Sequence, residues 1–156
     1  MQIGCKNKTN KLYAVLYSAL LATSSMTLFS YLYSVVSKDD TREPQLLGKL
    51  IRRLRPGIPE GDARVAGWAA HYGVGLLFAE LYGQIWQQTG INANLKTGLV
   101  FGGLSGIAAI LIWKFILTVH PFTPAVNFPS FALNLFLAHL VFGLFATVTY
   151  QRPITN

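Results

Sequence analysis

Apolar positions gather into four long runs, Leu12 to Val36, Val65 to Trp86, Thr97 to Val119 and Pro129 to Tyr150. Each run reaches the ~20 residues that a helix needs to cross a hydrocarbon core. The pattern predicts an all-α polytopic membrane protein, with four transmembrane helices as two tandem helix hairpins in a single membrane domain over residues 1–156. The one long polar segment, "SKDDTREPQLLGKLIRRLRPGIPEGDAR", follows the first run. Within it Leu46, Leu47, Leu50, Ile51 and Leu54 recur at helical spacing, opposite Lys49, Arg52 and Arg53. Pro44 suits the first turn of such a helix, and Pro56 with Gly57 ends it. A short amphipathic helix over about 44–55, lying in the headgroup plane, is the expectation.

Composition agrees with lipid as the solvent. Hydrophobic residues make up 52% of the chain and charged residues 12%, against roughly 25% charged in soluble domains. A basic stretch, "KNKTNK", precedes the first run as it would in a secretory signal. The apolar sequence continues far past the ~7 to 15 residues of a signal core, which predicts a retained first helix. The net charge of +7 sits in the N-terminal tail and in a loop beside membrane helices. That placement points to anionic lipid headgroups through Lys49, Arg52, Arg53 and Arg55, and away from nucleic acid. A bacterial cytoplasmic membrane is the expected location. Cys5 has no partner and follows no lipoprotein signal, so disulfide and lipid-anchor chemistry both lapse.

Two segments, "AHYGVGLLFAELY" (70–82) and "AHLVFGLFATVTY" (138–150), align without a gap over thirteen residues. His71 matches His139, Gly75 matches Gly143 and Tyr82 matches Tyr150. An internal repeat of helix pairs follows as an expectation, with the copies parallel to each other. The stretches "MTLFSYLYS", "REPQLLGKL", "GWAAHYGVGLLFAELY" and "AHLVFGLFATVTY" together resemble a type of small bacterial integral-membrane protein with a GWxxHxxxGxxFAxxY pattern. The resemblance implies four helices and carries no assigned activity.

Candidate chemistry centres on the histidines. On a helix His71, Gly75, Phe78 and Tyr82 share one stripe, as do His139, Gly143, Ala146 and Tyr150. Three readings stand side by side. The imidazoles make interhelical hydrogen bonds, for example to Ser24, Ser25, Thr27 or Ser105. Alternatively, they ligate haem b or a metal, with Gly75 and Gly143 clearing space beside the rings. In the third reading they line a path for protons or a small solute. Glu80, Lys114 and Asn134 are the other polar residues inside apolar runs, with Gln84, another helix or a second subunit as partners for Glu80. Gly98, Gly102 and Gly106 form a close-packing face. No Ser/His/Asp, CxxC or P-loop pattern is present, and no enzyme is expected. The functions these residues allow are a structural or partner-binding membrane component with a second copy or another membrane protein as partner, a redox component, or a transporter.

Overall fold

The computed structural model describes residues 3–150, with side chains from Leu12 onward; Cys5 and the "KNKTNK" stretch lie outside the described side chains. Five helices follow in order: α1 Ile3–Ser37, α2 Glu43–Leu54, α3 Glu60–Thr89, α4 Leu95–Val119 and α5 Phe128–Tyr150. Local chemistry sets their ends. Pro44 occupies the first turn of α2, where a missing N–H costs nothing. Gly90 ends α3 in the left-handed region at φ 69°, which lacks a Cβ penalty only in glycine. Asn94 and Thr97 cap α4 reciprocally, each side chain meeting the other's backbone N–H at 3.0 Å.

Three helices, Leu12–Ser37 of α1, α4 and α5, are long and apolar enough to cross a membrane. The expectation of four spans is therefore corrected. The run Val65 to Trp86 falls in α3, whose 30 residues include Glu60, Asp62, Arg64, His71, Glu80, Gln84, Gln87, Gln88 and five glycines. Glycine, histidine and glutamine dilute its apolar content without adding formal charge, so a count of charges alone overstates its hydrophobicity.

The tandem-hairpin arrangement is corrected as well. α1 packs against both α3 and α5, α4 packs on α5, and α2 lies on α3. α1 and α5 run antiparallel, with Ser18 Oγ donating to Ala146 O (3.0 Å) near one end and Asn134 Nδ2 donating to Ser30 Oγ (3.2 Å) near the other. α4 and α5 approach at backbone distance along the small-residue face. A Cβ placed on Gly98 would sit 2.6 Å from Gly143 O, and one on Gly102 2.5 Å from His139 O. α3 and α4, although consecutive, meet through side chains toward their short connection. There Phe101 lies 5.3 Å from Tyr82 and 5.7 Å from Trp86 between ring centres. Toward their other ends the two helices part, leaving a wedge.

α2 closes the wide end of that wedge. Leu46 and Leu50 pack with Ala109, Trp113, Phe131 and Leu135 from α4 and α5. Leu47 and Ile51 are half-buried, and only Leu54 stands out at 56% exposure. This overturns the picture of an amphipathic helix resting its leucines in lipid, because the protein itself covers them. The crossing of α2 over α3 depends on paired glycines. A Cβ on Gly67 would come within 2.6 Å of Gly48 N and 2.9 Å of Gly48 Cα.

The close crossing yields a paired prediction. Gly67→Leu should force α2 away from α3 and destabilise the fold by about 1–3 kcal/mol, whereas Gly73, with nothing within 4 Å of a built Cβ, should accept leucine within about 0.5 kcal/mol. Thermal unfolding in detergent compares them. Equal midpoints for the two variants would contradict the crossing.

Candidate functional site

The turn between α1 and α2 reverses the chain sharply. Lys38 adopts a left-handed φ of 61°, and Ser34 Oγ donates to Asp39 O. Asp40 sits between Arg42 (2.8 Å) and Lys49 (2.5 Å). Burial tends to raise its pKa, but these two cations outweigh that and hold it below the ordinary value. The reversal lays the start of α2 back against α1, and Glu43 is buried there at 2% exposure.

Glu43 Oε1 accepts hydrogen bonds from Ser30 Oγ (2.9 Å) on α1 and Asn134 Nδ2 (3.2 Å) on α5. Asn134 Nδ2 also donates to Thr41 O at 3.1 Å, so one fully buried amide joins α5, the turn and α2. Glu43 Oε2 has no hydrogen-bond partner among the described residues, and neither has Asn134 Oδ1. Burial pushes the Glu43 carboxyl up to about 7, against the opposing effect of its hydrogen bonds. In either protonation state Oε2 lacks one bond: an ionised oxygen lacks a donor, and a protonated one lacks an acceptor.

Proton accounting fixes both imidazoles. Thr27 Oγ1 lies 2.6 Å from Thr23 O and 2.8 Å from His71 Nε2. Its single proton goes to the carbonyl, so His71 Nε2–H is the donor to Thr27 and Nδ1 keeps a lone pair. His139 Nδ1 lies 2.8 Å from Leu135 O, an acceptor only, which leaves the lone pair on Nε2. The same reasoning assigns Tyr82 as donor to Ser105 Oγ (2.6 Å), since Ser105 donates to Gly102 O (3.1 Å).

Glu43, His71 and His139 line one cleft in the wedge between α3 and α4, with about 120 Å³ of open space. Phe78, Trp113 and Phe142 supply aromatic walls, and Leu47 of α2 borders it. Val74 and Ile112 also line it and are 49% and 52% exposed, which places the mouth between α3 and α4. The space is comparable to the roughly 150 Å³ apolar cavity that accepts a benzene ring.

The structure thus brings His71 and His139 to one cavity but puts their glycines to other use. The Thr23 side chain fills the place beside Gly75, and the backbone of Gly98 and Gly102 fills the place beside Gly143. Neither glycine clears room for a porphyrin, and the cleft holds about one benzene-sized ring. Haem does not fit these residues. No group of three or more His, Cys, Asp or Glu side chains gathers to hold a metal among the described residues. The aligned residues also sit in unlike settings, with His71 bonded across helices and His139 within its own, so the internal repeat finds no support in the contacts.

The other candidates scatter. Glu80 accepts from Gln84 Nε2 at 2.9 Å on the outer side of α3, and Lys114 is exposed on α4. Asn134 belongs to the Glu43 junction. Of the basic residues on α2, Lys49 pairs with Asp40, Arg52 with Glu60 (2.9 Å), and Arg53 donates to Phe122 O (3.0 Å); Arg55 is exposed. Glu43 is the functional candidate that the sequence pattern conceals. Its signal is an acid directly before the helix-opening Pro44, in a turn whose other charges face solvent.

The raised Glu43 pKa has a definite sign. The unfolded carboxyl ionises near 4.5 while the folded one keeps its proton to about 7, so this group's contribution is full below pH 4.5, declines between those values and is level above. Wild-type unfolding midpoints in detergent should fall across that window by the equivalent of roughly 3 kcal/mol relative to Glu43→Gln. Parallel profiles for the two proteins would refute it. No family model matches the chain, and neither a curated protein nor a solved structure matches it.

Proposed function

We propose that this chain is a ligand-binding component of the bacterial cytoplasmic membrane, which takes a small, largely apolar molecule into the cleft between α3 and α4. One observation carries the reading. An apolar cavity flanked by spanning helices is lined by the buried Glu43 and by two imidazoles of fixed tautomer, each of which keeps one ring nitrogen without a hydrogen-bond partner. A buried polar atom left without a partner destabilises a fold, and a ligand that reaches such a group can supply the missing bond. The side opening between Val74 and Ile112 suits a molecule arriving from the lipid phase.

The basic end of α2 supports a lipid partner in the same reading. Lys49, Arg52 and Arg53 border an open groove with the 61%-exposed Phe122, and an aromatic ring beside cations suits a headgroup boundary. Two of the three cations are already paired within the protein, so each adds less than the ~1 kcal/mol of a free basic residue. The resemblance to small bacterial membrane proteins adds no activity to this reading.

Bromobenzene tests the cleft, because bromine quenches nearby tryptophan emission and Trp113 lines the cavity. Saturable quenching is expected in the wild type, and the saturable part should fall at least tenfold in affinity in Val74→Phe/Ile112→Phe, which fills the mouth. Quenching that rises linearly in both proteins would count against a binding cleft. For the lipid partner, native mass spectrometry of the full chain should show phosphatidylglycerol retained by the wild type and lost when Lys49, Arg52, Arg53 and Arg55 are replaced by Gln; equal retention would remove it.

A further inference from the structure

We infer that the cleft takes a neutral phenol, whose hydroxyl donates a hydrogen bond to Nε2 of His139 while its ring lies among the aromatic walls. The inference rests on the binding reading above and names the chemical class of the ligand.

His139 offers the acceptor. Its Nδ1–H is spent on Leu135 O, one turn back on its own helix at 2.8 Å, so the lone pair on Nε2 stands at the outer edge of the ring, away from that backbone. Nε2 has no partner among the described residues and, unlike Glu43 Oε2, keeps accessible surface. Its surroundings place that surface in the cleft. A Cβ on Gly106 of α4 would meet the His139 Cβ at 3.2 Å, Phe78 of α3 packs edge-on against the ring, and the residue lines the cleft with only 5% of its surface exposed. One lone pair calls for one donor, so no second group has to converge on the same point. His71 also lines the cleft, but its outer nitrogen is turned to Thr27 on α1 and its free Nδ1 adjoins the carbon that joins the ring to its stem. Glu43 takes no part, because Oε2 has no accessible surface and Oε1 is held by Ser30 and Asn134.

Charge and shape narrow the ligand further. The lining holds neither lysine nor arginine, and its one acid is out of reach. A carboxylate or an ammonium group would give up its hydration there with no opposite charge to replace it. A hydrocarbon of equal size would leave the imidazole lone pair unpaired, whereas an O–H pairs it. A hydroxyl among lipid tails has no acceptor, so the bond is a gain for a molecule arriving from that phase. Phe78, Trp113 and Phe142 border the space, and a flat ring meets aromatic walls in the edge-to-face and offset arrangements that such rings favour. About 120 Å³ takes a single ring, and a chain opposite the hydroxyl would leave through the mouth between Val74 and Ile112.

The test uses the full chain in lipid nanodiscs near neutral pH with two brominated probes of matched size, para-bromophenol and para-bromotoluene, in which a methyl group replaces the hydroxyl. Saturable quenching of tryptophan emission is read for each probe, at concentrations corrected for its partition into protein-free nanodiscs. The phenol should half-saturate at a concentration at least fivefold below that of the toluene, and His139→Phe should abolish the difference. Nitrogen NMR of the unmodified chain carrying isotope-labelled histidine should show an unprotonated ring nitrogen moving upfield with the phenol and staying in place with the toluene. Equal affinity of the two probes overturns the phenol assignment while leaving a binding cleft in place. Saturation by neither probe overturns both the assignment and the binding reading. The comparison of probes and the nitrogen shift are read in the unmodified chain, so they stand whether or not the His139 variant folds. An unmoved ring nitrogen overturns the hydrogen bond, and a preference for the phenol that survives in a folded His139→Phe overturns the role of that imidazole.

Discussion

Glu43 is 2% exposed where α1, α2 and α5 meet, and a carboxyl group withdrawn from water is tolerated only when donors replace its hydration. Ser30 from α1 and Asn134 from α5 supply those donors at a single oxygen. This requirement ties three helices to one point. Asn134 extends the constraint to the turn through Thr41 O, and Asn127 Nδ2 reaches Asp39 at 3.1 Å from the start of α5. With its first turn held in this way, α2 lies across α3, where Gly48 and Gly67 let the backbones touch.

The wedge follows from that placement. Leu46 and Leu50 enter between α3 and the α4–α5 pair, holding the far ends of α3 and α4 apart while Tyr82, Trp86 and Phe101 join the near ends. A cavity is left between, lined by Glu43, His71 and His139. The glycine face of α4 matters here as well. Its close contact with α5 draws His139 to the inner side of the bundle, where Phe78 packs edge-on against the ring at 5.8 Å between centres. Helix packing and the chemistry of the cleft thus share residues, so changes in one register in the other.

The all-helical character and the three helices apolar enough to cross a membrane were legible from hydrophobic run length, and Pro44 and Pro56 show why local signals mark helix ends well. Two features were hidden. α3 looks like a span when charges are counted, because its glycines, histidine and glutamines carry no charge; the penalty lies in lost apolar surface. The leucines of α2 look lipid-facing because periodicity shows that a face is apolar without showing what covers it. His71 and His139 were legible as candidates, but a matching spacing of histidine and glycine did not predict that packing would fill the space beside each glycine. Glu43 was hidden for a related reason: among the charges of a polar turn, only tertiary structure singles out the one carboxyl that turns inward.

A double-mutant cycle on Glu43 and Asn134 tests most directly whether the buried junction holds α2 in place. Glu43→Ala, Asn134→Ala and the double variant are unfolded in the same detergent at pH 7, and the coupling energy is taken from the four stabilities. Residues sharing one buried hydrogen-bond network should couple by about 1–3 kcal/mol, the double variant losing less than the two single losses added together. Losses that add to within about 0.5 kcal/mol would show that the two side chains act independently and that the fold does not depend on their meeting.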